Sequence, residues 1–263
     1  GEIAQLAQRE VLEEWLAPPA VAMTTLARAK YFASFPFWLT AASHLPDDQR
    51  SLERIATAAD PVQVARGAGC TSEAALPPAL CYHVYDELAG HCLTTTRLVT
   101  LNGTCWRHEG AGRTPLVRQW AFTMREMVCI GKAADVERFR QRGMRLAGSL
   151  AARLDLDAGF LVATDPFFAP TARGQAIVQR VKALKHELAL PFGNDQSTAA
   201  ASFNNHEQFF GDAFGITLAT GEPASTACVA FGLERWLLAF LVAHGTERAT
   251  WPLVDGALAA AHS

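Results

Sequence analysis

The chain has 263 residues, half of them apolar and 19 % charged, with a formal net charge of −3. That is enough to bury a sizeable core in one large domain or two small ones, and it lacks the basic excess with which a free-standing nucleic-acid binder neutralises phosphates. No run of about 18 uncharged apolar residues appears, so no membrane span is expected. The start, GEIAQLAQREVLEEWL, is amphipathic and acidic. It reads as a helix over 1–16 stopped by Pro18 and Pro19, and lacks the basic, then apolar, build of a signal peptide. The six cysteines form no CxxC pair, which places the chain in a reducing cytoplasm.

A helical stretch is expected near 24–45, interrupted at Pro36. A surface helix follows over 47–59 with an aspartate start, and another over 77–91 opened by Pro77 and Pro78. From 92 the chain turns rich in Thr, Val and Leu, and Asn102-Gly103 reads as a hairpin turn between two strands. Residues 110–117 read as a flexible loop, 120–131 as a returning strand and 133–153 as a long amphipathic helix. A strand is expected at 159–168 and a helix at 172–188, with Lys182, Lys185 and His186 in its last turns. Strands over 198–210 and 224–232 precede an apolar helix, 233–245, ended by Gly245. Strands set between long helices favour α+β with an antiparallel sheet over a doubly wound fold, because no GxGxxG or GxxxxGK[ST] follows a strand.

Two stretches stand out chemically. Arg107 and Glu109 share a strand face by period-2 spacing, where an arginine fork suits a phosphate and a carboxylate accepts hydrogen bonds. Periodicity alone reads the same stretch as a solvated hairpin. In AFGLERW, Gly232 precedes a helix whose first turn carries Arg235, a cation at the wrong end of a helix dipole unless an anion lies opposite; the alternative is a side chain pointing to water.

Together, the Arg-x-Glu strand, loop and Phe122…Glu126 strand resemble motif 2 of class II aminoacyl-tRNA synthetases, and Gly-x-Glu-Arg resembles motif 3. Pro18 or Pro19 stands where the motif 1 proline falls. ALCYHVY (79–85), CWRHEG (105–110), FTMREMVCIG (122–131), TDPFF (164–168), ALKHEL (183–188), SFNNHEQFFG (202–211) and ACVAFGLERW (227–236) are similar to the amino acid:[carrier protein] ligases, truncated relatives of the zinc-dependent seryl-tRNA synthetases of methanogenic archaea. The resemblance runs from about Tyr31 to Gly245, with seven short motifs in order.

The resemblance implies a class II synthetase-like α+β fold with an antiparallel sheet flanked by helices, a single catalytic domain over 1–263, and homodimerisation through the helical region 1–45. Tyr31, Phe32, Phe35, Phe37 and Trp38 would be divided between core and interface. It implies zinc held by Cys81, Glu126 and Cys228, with Glu126 and the zinc taking the substrate amine. ATP would be held by Arg107, Glu109, Arg118, Phe122, Ser202, Asn205 and Arg235, with Mg2+ beside it and Arg107 and Arg235 catalytic. The loop carrying Gly110, Gly112 and Arg113 is longer than in the family pattern. The other four cysteines match no ligand position. The implied activity is ATP-dependent adenylation of a small amino acid and its transfer to the phosphopantetheine thiol of a carrier protein, for which Arg138, Arg140, Arg142 and Arg145 form a candidate basic surface. Alternatives are an enzyme that charges tRNA, as the atypical seryl-tRNA synthetases do, and a non-catalytic paralogue. The short chain and acidic balance weigh against tRNA.

Overall fold

The structure, a computed structural model, describes residues 12–252 apart from 113, 167–172 and 194–195. Strand β1, Glu13–Leu16, forms one edge of the main sheet. It lies parallel to β6, Arg97–Trp106, with Trp15 opposite Leu101. The expected helix over 1–16 is thus a strand at its end, and its first eleven residues lie outside the described ones. Next comes a three-stranded sheet of β2 (Val21–Ala22), β3 (Thr40–His44) and β4 (Cys70–Leu76). In place of a helix over 24–45 stand two short ones, α1 (Met23–Arg28) and α2 (Tyr31–Ser34), a 3-10 turn at Pro36–Trp38, and strand β3. Helix α3, Gln49–Ala56, is capped by Asp48, whose carboxylate accepts from the Ser51 N–H at 2.9 Å. Pro61 opens α4, Pro61–Ala68.

Helix α5, Cys81–Glu87, is shorter than the proline signal suggested. It is followed by β5 (Cys92–Leu93), which pairs with β11 (Thr217–Leu218). Strand β6 runs straight through Asn102-Gly103 and pairs from Arg97 to Trp106 with β7, Ala121–Gly131. The turn signal is overridden because β7 pairs across it, with Asn102 opposite Arg125 and Gly103 opposite Met124. Helix α6, Ala133–Arg153, precedes β8, Gly159–Val162. Helix α7, Arg173–Val181, ends far short of 188; Ala183 turns the chain at φ 50°, and Lys185 and His186 open strand β9, Lys185–Gly193. Strand β10 (Gln196–Glu207), helix α8 (Phe209–Phe214), β12 (Ser225–Gly232) and helix α9 (Leu233–His244) complete the fold.

The main sheet has seven strands in the order β1-β6-β7-β12-β10-β9-β8, antiparallel except at β1. Its central strand β12 is buried on both faces, as a strand between two layers must be. Val229 and Phe231 pack toward Ala147, Leu150 and Trp236 of α6 and α9. Cys228 and Ala230 face the opposite way, toward Tyr82 and Tyr85 of α5 and Phe210 and Phe214 of α8. Tyr31 belongs to that second core, and Phe32 and Phe37 are exposed. Arg140 is not part of a solvated arginine face: it is buried, bonded through both its Nε and an Nη to the Glu137 carboxylate and by its other Nη to His186. Among the described residues no helix is long and apolar enough to cross a membrane.

Candidate active site

The sheet face toward α5 is left partly uncovered, and a cavity of about 1290 Å³ opens on it. Period-2 alternation decides what it presents. Across the sheet, Lys185, Asn204, Cys228 and Val128 form one row, and Glu187, Ser202, Ala230 and Glu126 the next.

At one end of this face lie Cys81, Glu126 and Cys228, all buried, their ligand atoms within 4.8 Å of one another. Cys81 begins α5, and the N–H groups of Leu80 and Cys81 both donate to one Glu126 oxygen, at 2.8 and 3.0 Å. Glu126 thereby positions the start of the helix over β7. The two thiols act as a pair. Their mutual hydrogen bond, then burial, pushes the Cys81 thiol well up. The same bond, with His206 nearby, holds Cys228 well below the usual thiol range. Burial pushes the Glu126 carboxyl up to about 8. Two thiols and a carboxylate packed together out of water repel one another when ionised, and a bound cation removes that repulsion. Two sulfurs and one oxygen fit a borderline-soft ion such as zinc, and three protein ligands leave a coordination position open. Asn204 Nδ2 donates to Cys228 Sγ at 3.5 Å, and His206 Nε2 lies 3.8 Å from that sulfur. Supporting contacts of this kind orient metal ligands.

At the other end are the cations. The Arg107 guanidinium lies over the Trp38 and Phe122 rings, 5.0 and 5.3 Å from their centres, and its Nε donates to the Pro78 carbonyl at 2.9 Å. Arg235 is held by the Val117 carbonyl at 2.7 Å and the Ala199 carbonyl at 2.6 Å. Burial first, then the neighbouring Arg107 cation, pulls its pKa down, and Glu109 opposes the shift. Glu109 lies 3.8 Å from Arg118, whose side chain is more than half exposed. Arg107, Glu109, Arg118, Phe122, Ser202 and Arg235 all border the cavity. Asn205 borders it too. Its amide donates to Glu137 of α6 at 3.0 Å and its oxygen accepts from the Glu207 N–H at 2.9 Å. Asn204, opposite Cys228, lies beside it on the cavity wall.

Sequence reasoning passed over a further group in the cavity wall. Lys185 reaches the Asp165 carboxylate and lies 3.2 Å from Glu187, and Gln179 of α7 binds Asp165 through its side chain at 2.8 Å. Burial opposes ionisation of Asp165, but the Lys185 ammonium and the Gln179 bond keep its pKa below the usual value. The period-2 pair Lys185 and Glu187 carried a strand signal that the helical reading of 172–188 obscured.

Solved structures place the fold. The seryl-tRNA synthetase of M. kandleri, solved with A. aeolicus tRNASec, superposes with a TM-score of 0.84 at 20 % identity, over 96 % of this chain and 53 % of that one. A Giardia lamblia prolyl-tRNA synthetase bound to prolyl-adenylate gives 0.67 at 14 % identity, over 92 % of this chain and 46 % of that one. A sheet and helices of this arrangement are the catalytic fold of class II aminoacyl-tRNA synthetases. Within that class the sequence is more specific. Amino acid–[acyl-carrier-protein] ligase 1 of Bradyrhizobium diazoefficiens is 36 % identical over 242 residues, which cover 89 % of this chain and 72 % of that protein. Ligase 2 of the same organism is 34 % identical over 239 residues, 90 % and 71 % respectively. The chain belongs to this ligase family. The type-2 serine–tRNA ligase of Methanopyrus kandleri is 29 % identical over 192 residues, and the match spans only 36 % of its length. No protein-family model matches the chain.

Proposed function

We propose that the chain activates a small amino acid with ATP as its aminoacyl-adenylate and passes the aminoacyl group to the phosphopantetheine thiol of a carrier protein. The observation that carries this reading is one cavity bordered at one end by Cys81, Glu126 and Cys228 and at the other by Arg107 and Arg235. An amine held at the first end and a triphosphate at the second leave the carboxylate between them. The relatives' own activity, ligation of amino acids to acyl-carrier protein, supports the same assignment.

Cys81, Glu126 and Cys228 would hold zinc, which when bound supplies a coordination site for an uncharged amine. Phe122 would stack beneath the adenine, with Glu109 accepting from its amino group. A substrate carboxylate oxygen then attacks the α-phosphorus, the bond to the β-phosphate oxygen breaks, and pyrophosphate leaves. Arg107, Arg235 and the exposed Arg118 stabilise the charge gathering on the phosphate oxygens, and no general base is required; Ser202 would help to hold Mg2+, which when bound would supply further positive charge there. In the second step the carrier's thiol sulfur attacks the carbonyl carbon, AMP leaves, and the thiol proton is lost to water. Homodimerisation through residues 1–45 and a cytoplasmic setting complete the reading.

The test is amino-acid-dependent ATP–pyrophosphate exchange across the common amino acids, with zinc measured on the same sample. Exchange with a small amino acid, stoichiometric zinc, and loss of both in Cys228→Ala are expected. A folded, zinc-loaded protein that exchanges with no amino acid overturns the reading. Labelled amino acid transferred to tRNA and not to a carrier would instead favour the tRNA-charging activity named for the type-2 relatives.

A further inference from the structure

Asn204 carries a feature that the ligand set does not account for. Its amide nitrogen donates to Cys228 Sγ, and its Oδ1 is buried without a hydrogen-bond partner. A buried amide oxygen left unpaired carries its full desolvation cost, so a donor is expected opposite it. Among the described residues none is supplied. Lys185, its neighbour across the β9–β10 pair, is committed to Asp165 and Glu187. The His206 ring engages Thr226 at 3.2 Å and faces Cys228. Turning the amide over does not help. On the reading above it would set the oxygen against the Cys228 sulfur, which as a zinc ligand is a thiolate with no proton to give.

The side chain borders the cavity, so the missing donor comes from what the cavity holds. Position tells which part. Asn204 lies in the Cys228 row, about 16 Å along the strand from Ala199, where Arg235 is anchored. That distance takes it out of reach of the phosphate end and sets it at the amine end. On the reading above, we infer that Asn204 Oδ1 accepts a hydrogen bond from the amine N–H of the bound amino acid and is a positioning residue for that substrate. Its amide thus has two tasks: the nitrogen orients the Cys228 sulfur, and the oxygen aims the amine so that the carboxylate points along the cavity toward the arginines.

The two tasks separate by substitution. Asn204→Ala removes both; Asn204→Asp keeps an acceptor oxygen and loses the donor to Cys228. Wild type and both variants are prepared zinc-loaded, with metal content confirmed, and compared by calorimetric binding of the amino acid that supports exchange and by KM for that amino acid and for ATP. The expected result in Asn204→Ala is amino-acid affinity about fivefold or more weaker, from loss of one hydrogen bond, with KM for ATP unchanged. Asn204→Asp should retain most of that affinity while binding zinc less tightly. Unchanged amino-acid binding in zinc-loaded Asn204→Ala overturns the inference and means that water satisfies the oxygen. So does a loss shared equally with ATP. Absence of exchange in the wild type sinks the ligase reading and this inference together, whereas exchange with unaltered amino-acid binding in the variant sinks this inference alone.

Discussion

Lys185 shows how single residues hold the cavity wall in shape. Its side chain is only 10 % exposed and serves two carboxylates, Asp165 and Glu187. Such a pair contributes little over an apolar replacement of both members, but removing one member strands the other's charge. Lys185→Met is therefore expected to destabilise the protein by about 3–5 kcal/mol in urea unfolding at neutral pH. Adding Asp165→Asn to it should recover part of the loss, because one stranded charge is then gone. If Lys185→Met unfolds like the wild type, the ammonium is not what holds Asp165 ionised. The same residue marks where residue-level reading went astray. Lysine and histidine at 185 and 186 suit a helix C-terminus as well as they suit a strand, and only pairing with Phe203 and Asn204 decides it.

Elements with strong internal periodicity were legible. The strand over 120–131 is found as Ala121–Gly131, the helix over 133–153 as Ala133–Arg153, and the apolar helix as Leu233–His244 ended by Gly245 at φ 72°. Those that went the other way were set by neighbours far off in sequence. Glu13–Leu16 becomes a strand because β6 offers an edge, and Asn102-Gly103 stays extended because β7 pairs across it. Helix α8 depends on such a neighbour too. A Cβ on Gly211 would overlap the Ala224 carbonyl oxygen and lie 2.8 Å from the Ala224 nitrogen. Both are backbone atoms at the entry to β12, so neither yields cheaply. Gly211→Ala should cost about 1–3 kcal/mol through overpacking. Gly67→Ala, inside α4 with open space around the new methyl, should be neutral or stabilising by about 0.5–1 kcal/mol. Paired thermal melts of the two variants separate close approach from simple helix propensity, and equal shifts would discount the contact with Ala224.

At the scale of the whole molecule, the cysteine and glutamate ligand set is the feature that composition and spacing could not reveal. Cys81, Glu126 and Cys228 come from a helix start and two strands, far apart in sequence, and only the sheet register and the seating of α5 bring them together. Resemblance to a family named them; local pattern read the two cysteines as buried structural residues and Glu126 as a surface residue. Their position has a mechanical consequence. They join α5 to the two central strands of the sheet, at the meeting point of the second core. A metal bound there binds the folded chain and not the unfolded one, and so adds stability by mass action, about 4 kcal/mol at a thousandfold excess over Kd. For a chain of this size that corresponds to roughly 8–15 °C in Tm. Chelation should therefore lower the melting temperature by about that amount, and restored zinc should return it. Cys228→Ser should melt near the chelated wild type and ignore chelator. Cys129→Ala removes a buried thiol outside the set and should keep its response to chelator whatever its own stability. A chelator that leaves the wild-type melt unmoved would mean that the three side chains close against one another without an ion. Their mutual hydrogen bonds would then carry the junction between helix and sheet alone.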